Sequence, residues 1–568
     1  MTATSRENKG RHGRFLPTRE ASPPPAPTAS RKRAETALLV TLATCAAATF
    51  AASAAIQTTG YALWHDELWN HPAAVSLLRG KSWQPAWEVS ILGLPLPLVS
   101  GPYQGSIKTF ALVPFLAALG TSPGVLRGVH CAFGMLYLAA LYWALRGVLS
   151  RRAAAWVFLL PLADPNLTMF VPSDMGPFLL QNTFLAVALG ALLRLEQYPR
   201  RRWLLLALGG ASMALADKLT SAPVVAVVVI LALARGVRTL GWSAPRWGLA
   251  AAVACLPMLP HAAYFARAGF AELEANVGGG LAQRSPYTDR LRNRFREFNG
   301  FIAAGSHIPQ ALTSEPVPRH RPLLVPLGLL LGVLGGLAAS ARPREGRATG
   351  VSALALPLSF AAFAAVPGLE RPWHYLVLHP PLVISAFLGF ACLAELARGR
   401  RGLAPALPAA LTLLVAGAGA VGMARSMELL SFVAARRGAH MYSPGLYHLH
   451  QELASLAPQR LVCLNYSLCN PLYVLTSGRV EVIDLTWAEP GEGTVSYARS
   501  LSATPGTVMV YRSVSGAAGP TQASYFDWLN RTSDYLLPRL ADDPELTRRI
   551  VYWDQRAEFG VLSATPLP

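Results

Sequence analysis

Long apolar runs separated by short polar turns set the pattern of this chain. The first run, Ala34–Thr58, follows a basic stretch ending in Arg31, Lys32 and Arg33. Its apolar region is too long and its leader too extended for a cleaved signal peptide, so it reads as a retained signal anchor. Further runs lie at about Phe110–Leu145, Ala153–Val171, Gly176–Leu193, Trp203–Ala216, Ser221–Ala234, Trp247–Phe265, Leu323–Ala341, Val351–Val366, Tyr375–Leu396 and Leu403–Ala424. Each approaches the roughly 20 residues a membrane-crossing helix needs. The run at 110–145 exceeds one span, and its break from Gly120 to Gly124 predicts an interfacial helix followed by the span proper. The runs at 203–216 and 221–234 are short alone and too long if fused.

Charge decides that last point. With a hairpin at Asp217 and Lys218, the basic clusters Arg146/Arg151/Arg152, Arg200–Arg202, Arg235/Arg238/Arg246, Arg342/Arg344/Arg347 and Arg398/Arg400/Arg401 all fall on one side. Cytoplasmic loops carry such an excess, so the pattern gives about eleven spans with the N-terminus inside and the C-terminus outside. The opposite turns hold Asp164, Asp174, Asp217 and Arg371. The outer loop 266–321 is itself arginine-rich, but long loops obey the rule only weakly. Within it "TDRLRNRFREFNGF" places Arg290, Arg294 and Phe298 at helical spacing, as it does Leu291 and Phe295. That segment reads as an amphipathic helix lying on anionic headgroups; binding of an acceptor or lipid phosphate is the sharper alternative.

Beyond about Met427 no spanning run remains. "RLVCLNY", "VEVIDLT" and "TVMVYRS" read as short strands, and "LYHLHQELASL" and "TVSYARSL" between them have helical spacing. The organisation expected is a disordered basic cytoplasmic tail (1–33) and a polytopic helical membrane domain (34–426) with outer loops at 59–109 and 266–321. A small extracytoplasmic α/β domain (427–568) completes it. The location expected is a bacterial cytoplasmic membrane.

Composition agrees. The chain of 568 residues is 52% hydrophobic and 14% charged, well below the roughly 25% charge of soluble domains. The net charge of +19 would suit nucleic acid, yet the arginines sit in loop clusters between apolar runs, so nucleic acid is rejected as a partner. Of six cysteines, Cys45, Cys131, Cys255 and Cys392 lie in apolar runs as small hydrophobes. Cys463 and Cys469 lie in the outer domain, where a local disulfide is expected.

Candidate chemistry concentrates in "YALWHDELWN", Tyr61–Asn70, directly after the first run. Ionisable residues beside a bilayer mark functional cavities, and Trp64 and Trp69 suit an interfacial depth. Asp66 and Glu67 serve equally well as first-turn acids of a surface helix or as a catalytic pair. Other groups on the same side favour catalysis: Tyr103 and Lys108 in "GPYQGSIKTF", Asp174 in "VPSDMGP", and Arg371 with His374 in "LERPWHYLVLHP". Lys108 either snorkels or holds a phosphate, and Asp174 either caps a helix or completes an acidic site. Arginine suits multi-donor phosphate recognition.

In order and sidedness these motifs resemble the C-type glycosyltransferase superfamily, in its protein O-mannosyltransferase and ArnT-like branch (family 39), over residues 34–425. The matching pieces are "DE" after the first span, the "Y-x-G-x-x-K" stretch, an outer "D-x-G-P", the "DK" tip, and an Arg/His pair with aromatics at a late span. The proline pair common in that family is missing from "KTFALVPF". The resemblance implies transfer of a sugar from a polyprenyl-phosphate donor to an outer-face acceptor (protein, lipid or glycan) with inversion. Asp66 would be general base, Glu67 its helper, and Lys108 and Arg371, with His374 and Tyr103, would hold the departing phosphate. No cofactor or metal is expected, a divalent ion near Asp66 and Asp174 being the alternative. The rivals are a transporter or flippase of a lipid-linked substrate, disfavoured because no internal repeat is visible, and a degenerate member that only binds its ligand.

Overall fold

The computed structural model describes residues 29–568 except 84, 175, 242–243, 271–285, 299–306, 314–316, 318–326, 329, 335–346, 367–371, 399–405, 437, 439–442, 466–467, 513–522, 554–555 and 565–568. Helix α1 (Ala29–Gly60) leads to the Tyr61–Asn70 turn, α2 (His71–Leu78) and a three-stranded sheet of β1 (Trp87–Ile91), β2 (Leu94–Gly101) and β3 (Gln104–Gly105). Then come α3 (Ile107–Leu119), α4 (Pro123–Leu145), α5 (Arg151–Ala155), α6 (Leu160–Ala163), α7 (Pro165–Phe170), α8 (Phe178–Gln197), α9 (Arg201–Asp217) and α10 (Ala222–Leu240). They are followed by α11 (Ala244–Cys255), α12 (Leu259–Ala268), α13 (Tyr287–Phe298), α14 (His307–Thr313), α15 (Arg347–Ala365), a 3-10 turn (Pro372–Leu378), α16 (His379–Arg398) and α17 (Ala406–Ala434).

Among the described residues six helices are long and apolar enough to cross a membrane: Ala29–Gly60, Pro123–Leu145, Phe178–Gln197, Leu219–Leu240, Pro245–Ala268 and His374–Ala394. The span in α8 is 89% buried and that of α1 only 22%, so α8 is the centre of the bundle and α1 its lipid-facing rim. The expected break between α3 and α4 is present: Gly120 turns the chain at φ +82°, and Ser122 Oγ accepts from Val125 N to cap α4. The hairpin expected at Asp217 and Lys218 is also present, with Lys218 extended at φ −155°, ψ 119°.

Two expectations are corrected. The run at 153–171 is not one helix but α5, a 3-10 turn, α6 and α7, because Asp164 interrupts it. Asp164 takes an extended backbone and its carboxylate accepts from Asn166 N and Leu167 N, capping α7 from within the run. Helix α13 also does not simply float on headgroups. Phe298 is buried against Phe360 and Tyr375, and Arg294 reaches Val366 O at 3.3 Å and Tyr375 Oη at 3.5 Å. The face that carries Arg294 and Phe298 docks on protein. The run at 323–341 lies largely outside the described residues.

Helix α17 continues to Ala434, past the expected boundary at Met427, because Leu429, Leu430 and Val433 pack into the core. The C-terminal region follows with α18 (Gly445–Leu456), β4 (Arg460–Cys463), α19 (Cys469–Leu475), β5 (Glu481–Asp484), α20 (Glu492–Ser502), β6 (Thr507–Arg512), α21 (Ala523–Ala541), β7 (Thr547–Trp553) and β8 (Arg556–Ser563). The sheet order is β5-β4-β6-β8-β7, with β4 parallel to β5 and β6, and β8 antiparallel to β6 and β7. Alternation along a strand splits its faces. Val462, Leu464 and Met509 pack beneath Leu536 and Leu540 of α21, whereas Leu461, Val508 and Val510 join the core that also holds Tyr61 and Leu63. The small domain is therefore fused to the membrane part through one apolar core.

Candidate functional site

Three segments meet beside the end of α1: the Tyr61–Asn70 turn, the 172–176 turn before α8, and the 217–219 tip between α9 and α10. The first is pinned by Arg127 of α4. Its guanidinium donates to Glu67 Oε1 at 3.0 Å and Oε2 at 3.3 Å, and to the carbonyls of Tyr61 and Ala62 at 3.1 Å each. Both partners are buried, so Glu67 is committed to holding the turn. Asp66, one position earlier, is half-buried, and its own carbonyl accepts from Gly176 N at 2.8 Å. That bond brings the second segment alongside.

The second segment is held by Lys108. Its ammonium lies 2.9 Å from Asp174 Oδ2, and donates to Gly176 O at 2.9 Å and Asp174 O at 3.2 Å. Asp174 Oδ1 accepts from Leu179 N at 3.1 Å, so both sequence readings of Asp174 describe part of its role: it caps α8 and pairs with a cation. It does so at φ +28°, a conformation costly for a residue with a Cβ and typical of functional sites. Lys108, read as a phosphate ligand, is fully buried, donating to two backbone carbonyls and ion-paired to the Asp174 carboxylate.

The third segment supplies a different cation. Lys218 Nζ stands 3.7 Å over the Phe178 ring and 5.9 Å from that of Tyr103, and has no hydrogen-bond acceptor among the described residues. Burial pushes its pKa down to about 7, against the pull of the Asp66 and Asp174 charges. A Cβ on Gly176 would sit 2.8 Å from this ammonium, and the turn's φ of +89° there favours glycine, so Lys218 lies close against it. The tip is clamped by the loop before α3 and by α8: Leu219 N donates to Tyr103 O at 2.9 Å, and Gln181 Nε2 to Lys218 O at 2.8 Å. Gly105 sits so close that a Cβ would fall 2.0 Å from Ala216 O. Gly105→Ala is therefore expected to cost about 1–3 kcal/mol by overpacking, read as a lower unfolding temperature in detergent; wild-type stability would contradict the clamp.

Asp217 is buried behind the tip, and neither carboxylate oxygen has a hydrogen-bond partner among the described residues. His71 and His130 stack edge-on at 5.1 Å, with His130 Nδ1 against Pro172 O at 2.8 Å. His65, beside Asp66, faces the C-terminal domain: Asn470 Nδ2 lies 3.3 Å from its Nε2 and donates to its carbonyl at 3.5 Å. Burial lowers its pKa to about 3, so the ring is neutral. The same domain reaches α2 through Ser76 Oγ and Tyr473 Oη at 2.5 Å, and Tyr447 Oη donates to Tyr61 O at 3.2 Å.

His374 is buried within the 3-10 turn before α16, and Arg371 lies outside the described residues. Cys463 and Cys469, expected as a disulfide, are instead free buried thiols, and Cys469 Sγ donates to Ile483 O at 3.6 Å. Among the described residues no group of three or more His, Cys, Asp or Glu side chains is arranged to hold a metal ion. Arg127 and Lys218 are the two site residues that sequence reasoning passed over as chemistry. A second polar cluster, also unanticipated, joins Asp164 Oδ2 to His379 Nε2 at 2.8 Å and His379 Nδ1 to Tyr137 Oη at 2.5 Å, tying α16 and α4 to the broken segment.

No family model matches the sequence, and no curated protein matches it. Solved structures do. ArnT from Cupriavidus metallidurans in the apo state aligns over 93% of this chain and 98% of its own, at 15% identity and a TM-score of 0.50. The oligosaccharyltransferase AglB from Archaeoglobus fulgidus, in complex with an inhibitory peptide and a dolichol-phosphate, aligns over 85% of this chain and 70% of its own, at 13% identity and a TM-score of 0.44.

Proposed function

Starting from a multi-pass membrane chain with the C-type glycosyltransferase fold in its ArnT-like form, we propose that it transfers a sugar from a polyprenyl-phosphate donor to a hydroxyl-bearing acceptor at the outer membrane face. The observation that carries this reading is the meeting of Asp66 and Lys218 at Gly176, whose N–H donates to Asp66 O at 2.8 Å and on which a Cβ would lie 2.8 Å from the Lys218 ammonium. Asp66 takes the proton of the acceptor hydroxyl as its oxygen forms a bond to the anomeric carbon. The bond from that carbon to the phosphate oxygen breaks on the opposite side, which inverts the centre. Polyprenyl phosphate leaves with one more negative charge, and a cation fixed where that charge grows lowers the barrier.

Lys218 takes the phosphate role that the sequence pattern assigned to Lys108. Arg371, His374 and Tyr103 remain its expected helpers. Lys108 shapes the 172–176 turn through Asp174, and Glu67 positions Asp66 through Arg127. The test is to reconstitute the purified protein in liposomes with a panel of polyprenyl-phosphate sugars and to follow release of polyprenyl phosphate. Consumption of none of them, with or without membrane extracts as acceptor source, would sink the reading. Mass spectrometry of envelope glycans with and without the protein then identifies the acceptor.

A pH dependence follows. A phosphodiester donor keeps its charge across neutral pH, so the titrating partner is Lys218: its ammonium is present below about pH 7 and lost above it. Donor kcat/KM is expected to fall by up to about tenfold per pH unit on the alkaline side. Lys218→Arg, which stays charged, is expected to flatten that limb. An unchanged limb in the arginine variant would assign the titration elsewhere.

A further inference from the structure

At the other end of the bundle lies a cavity of about 510 Å³ where α1, α4, α5 and α8 end. It is lined by Arg146, Arg151 and Arg194, with Glu35, Tyr142 and Trp143 among its other walls. From Thr36 at its rim to Tyr61 at the candidate site, α1 rises by roughly 38 Å, so cavity and site belong to opposite membrane faces.

The three arginines are placed differently. Arg194 is built in: it donates to Gly190 O at 2.9 Å and Ala144 O at 3.5 Å, and lies 3.8 Å over the Trp143 ring. Arg146 ends α4 and donates to Leu149 O at 3.3 Å. Arg151 opens α5 at the surface. Among the described residues none of the three is paired with a carboxylate. The nearest acid, Glu35, is already held by Arg31 at 3.4 Å and Arg152 at 3.7 Å. Three guanidinium groups around one cavity repel each other, and an anion relieves that repulsion while meeting many donors at once.

The cavity's setting says where the anion comes from. Val40, next to the lining Leu39 on α1, and Trp156, five residues past the lining Arg151, are 58% and 51% exposed. Tyr142 and Trp143 are the aromatics that favour headgroup depth. Its volume is in the range of small-molecule pockets, and basic pockets between helix ends are a recurrent form of anionic-lipid recognition. The geometry points to a binding site for the phosphodiester headgroup of an anionic phospholipid, in the leaflet opposite the sugar-transfer site, with its acyl chains along the exposed face of α1. This rests on the membrane reading alone and not on the transfer chemistry.

Thermal unfolding of the full chain in neutral detergent tests it, with phosphatidylglycerol, phosphatidylcholine or inorganic phosphate added. Phosphatidylglycerol is expected to raise the unfolding temperature and the other two are not. The double variant Arg146→Gln/Arg151→Gln is expected to need at least tenfold more phosphatidylglycerol for the same shift. Glu35→Gln, which removes the one acid lining the cavity, is expected to need less. Equal stabilisation by phosphatidylcholine, or wild-type lipid response in the double variant, overturns the site. Equal stabilisation by inorganic phosphate overturns the lipid as its occupant. Should the double variant fail to fold, an unchanged or weaker lipid response in Glu35→Gln overturns the proposal.

Discussion

Asp66→Asn is expected to reduce sugar transfer by about 10²–10⁴-fold, the usual worth of a positioned general base, with no loss of stability. The structural tie of Asp66 to its surroundings runs through its carbonyl, which accepts from Gly176 N at 2.8 Å; asparagine keeps that bond and the side-chain size. What asparagine lacks is the charge that takes the acceptor proton. The same charge supports protonation of Lys218, so its removal has a second signature. The alkaline limb of donor binding is expected to move to lower pH in the variant. The measurement is single-turnover release of polyprenyl phosphate across pH, beside an unfolding curve. Wild-type turnover in a folded Asp66→Asn protein would remove the base, and an unmoved alkaline limb would separate Asp66 from Lys218.

The largest effect on stability is expected at Arg127. Removing one partner of a buried, hydrogen-bonded ion pair leaves an uncompensated charge and typically costs about 3–5 kcal/mol. Arg127→Ala would strand Glu67 and the carbonyl of Ala62, and would leave Tyr61 O with Tyr447 Oη as its donor. Each stranded acceptor adds about 1–3 kcal/mol. A much lower unfolding temperature and poor recovery of folded protein are the expected readouts. Glu67→Gln removes the charge but keeps an acceptor for the guanidinium, so it is expected to be milder and to keep transfer within about tenfold of wild type by the same reasoning. A Glu67→Gln loss as deep as that of Asp66→Asn would instead make Glu67 a participant in the chemistry. An Arg127→Ala protein as stable as wild type would contradict the pinning of the turn.

Some of this was legible in the chain. Helices α1, α4, α8 and α10 announce themselves because lipid-facing or buried apolar runs need no partner to be recognised. The Gly120 break and the Asp217–Lys218 tip follow from span length and arginine sidedness. Strands β4, β5 and β6 follow from β-branched runs. The hairpin β1–β2 was hidden by Pro95 and Pro97, which argue against a central strand. They are tolerated because β3 pairs only near Val99 and Gly101, leaving that part of β2 an open edge.

The site itself was half legible. Asp66 and Glu67 are adjacent in sequence, yet only the partner separates the half-buried Asp66 from Glu67 as a buried anchor, and that partner is Arg127, 60 residues on. The signal was available: an arginine inside an apolar run is costly and demands an acid. Lys108 and Lys218 could not be ranked from the chain, because the difference is two carbonyl acceptors and an ion pair against no hydrogen bond among the described residues, and such partners belong to tertiary structure. The Cys463–Cys469 spacing permits a bridge and equally two buried thiols.

The bond between His65 and Asn470 joins residues 405 positions apart. Contacts of such separation form late, since chain closure must be achieved before they stabilise anything. During synthesis the bundle would be threaded into the bilayer while the turn bearing Asp66 still lacks its partner Asn470. The acid-bearing turn is thus completed only when the domain bearing Asn470 has folded, so a later-made part of the protein licenses an earlier-made part of its site.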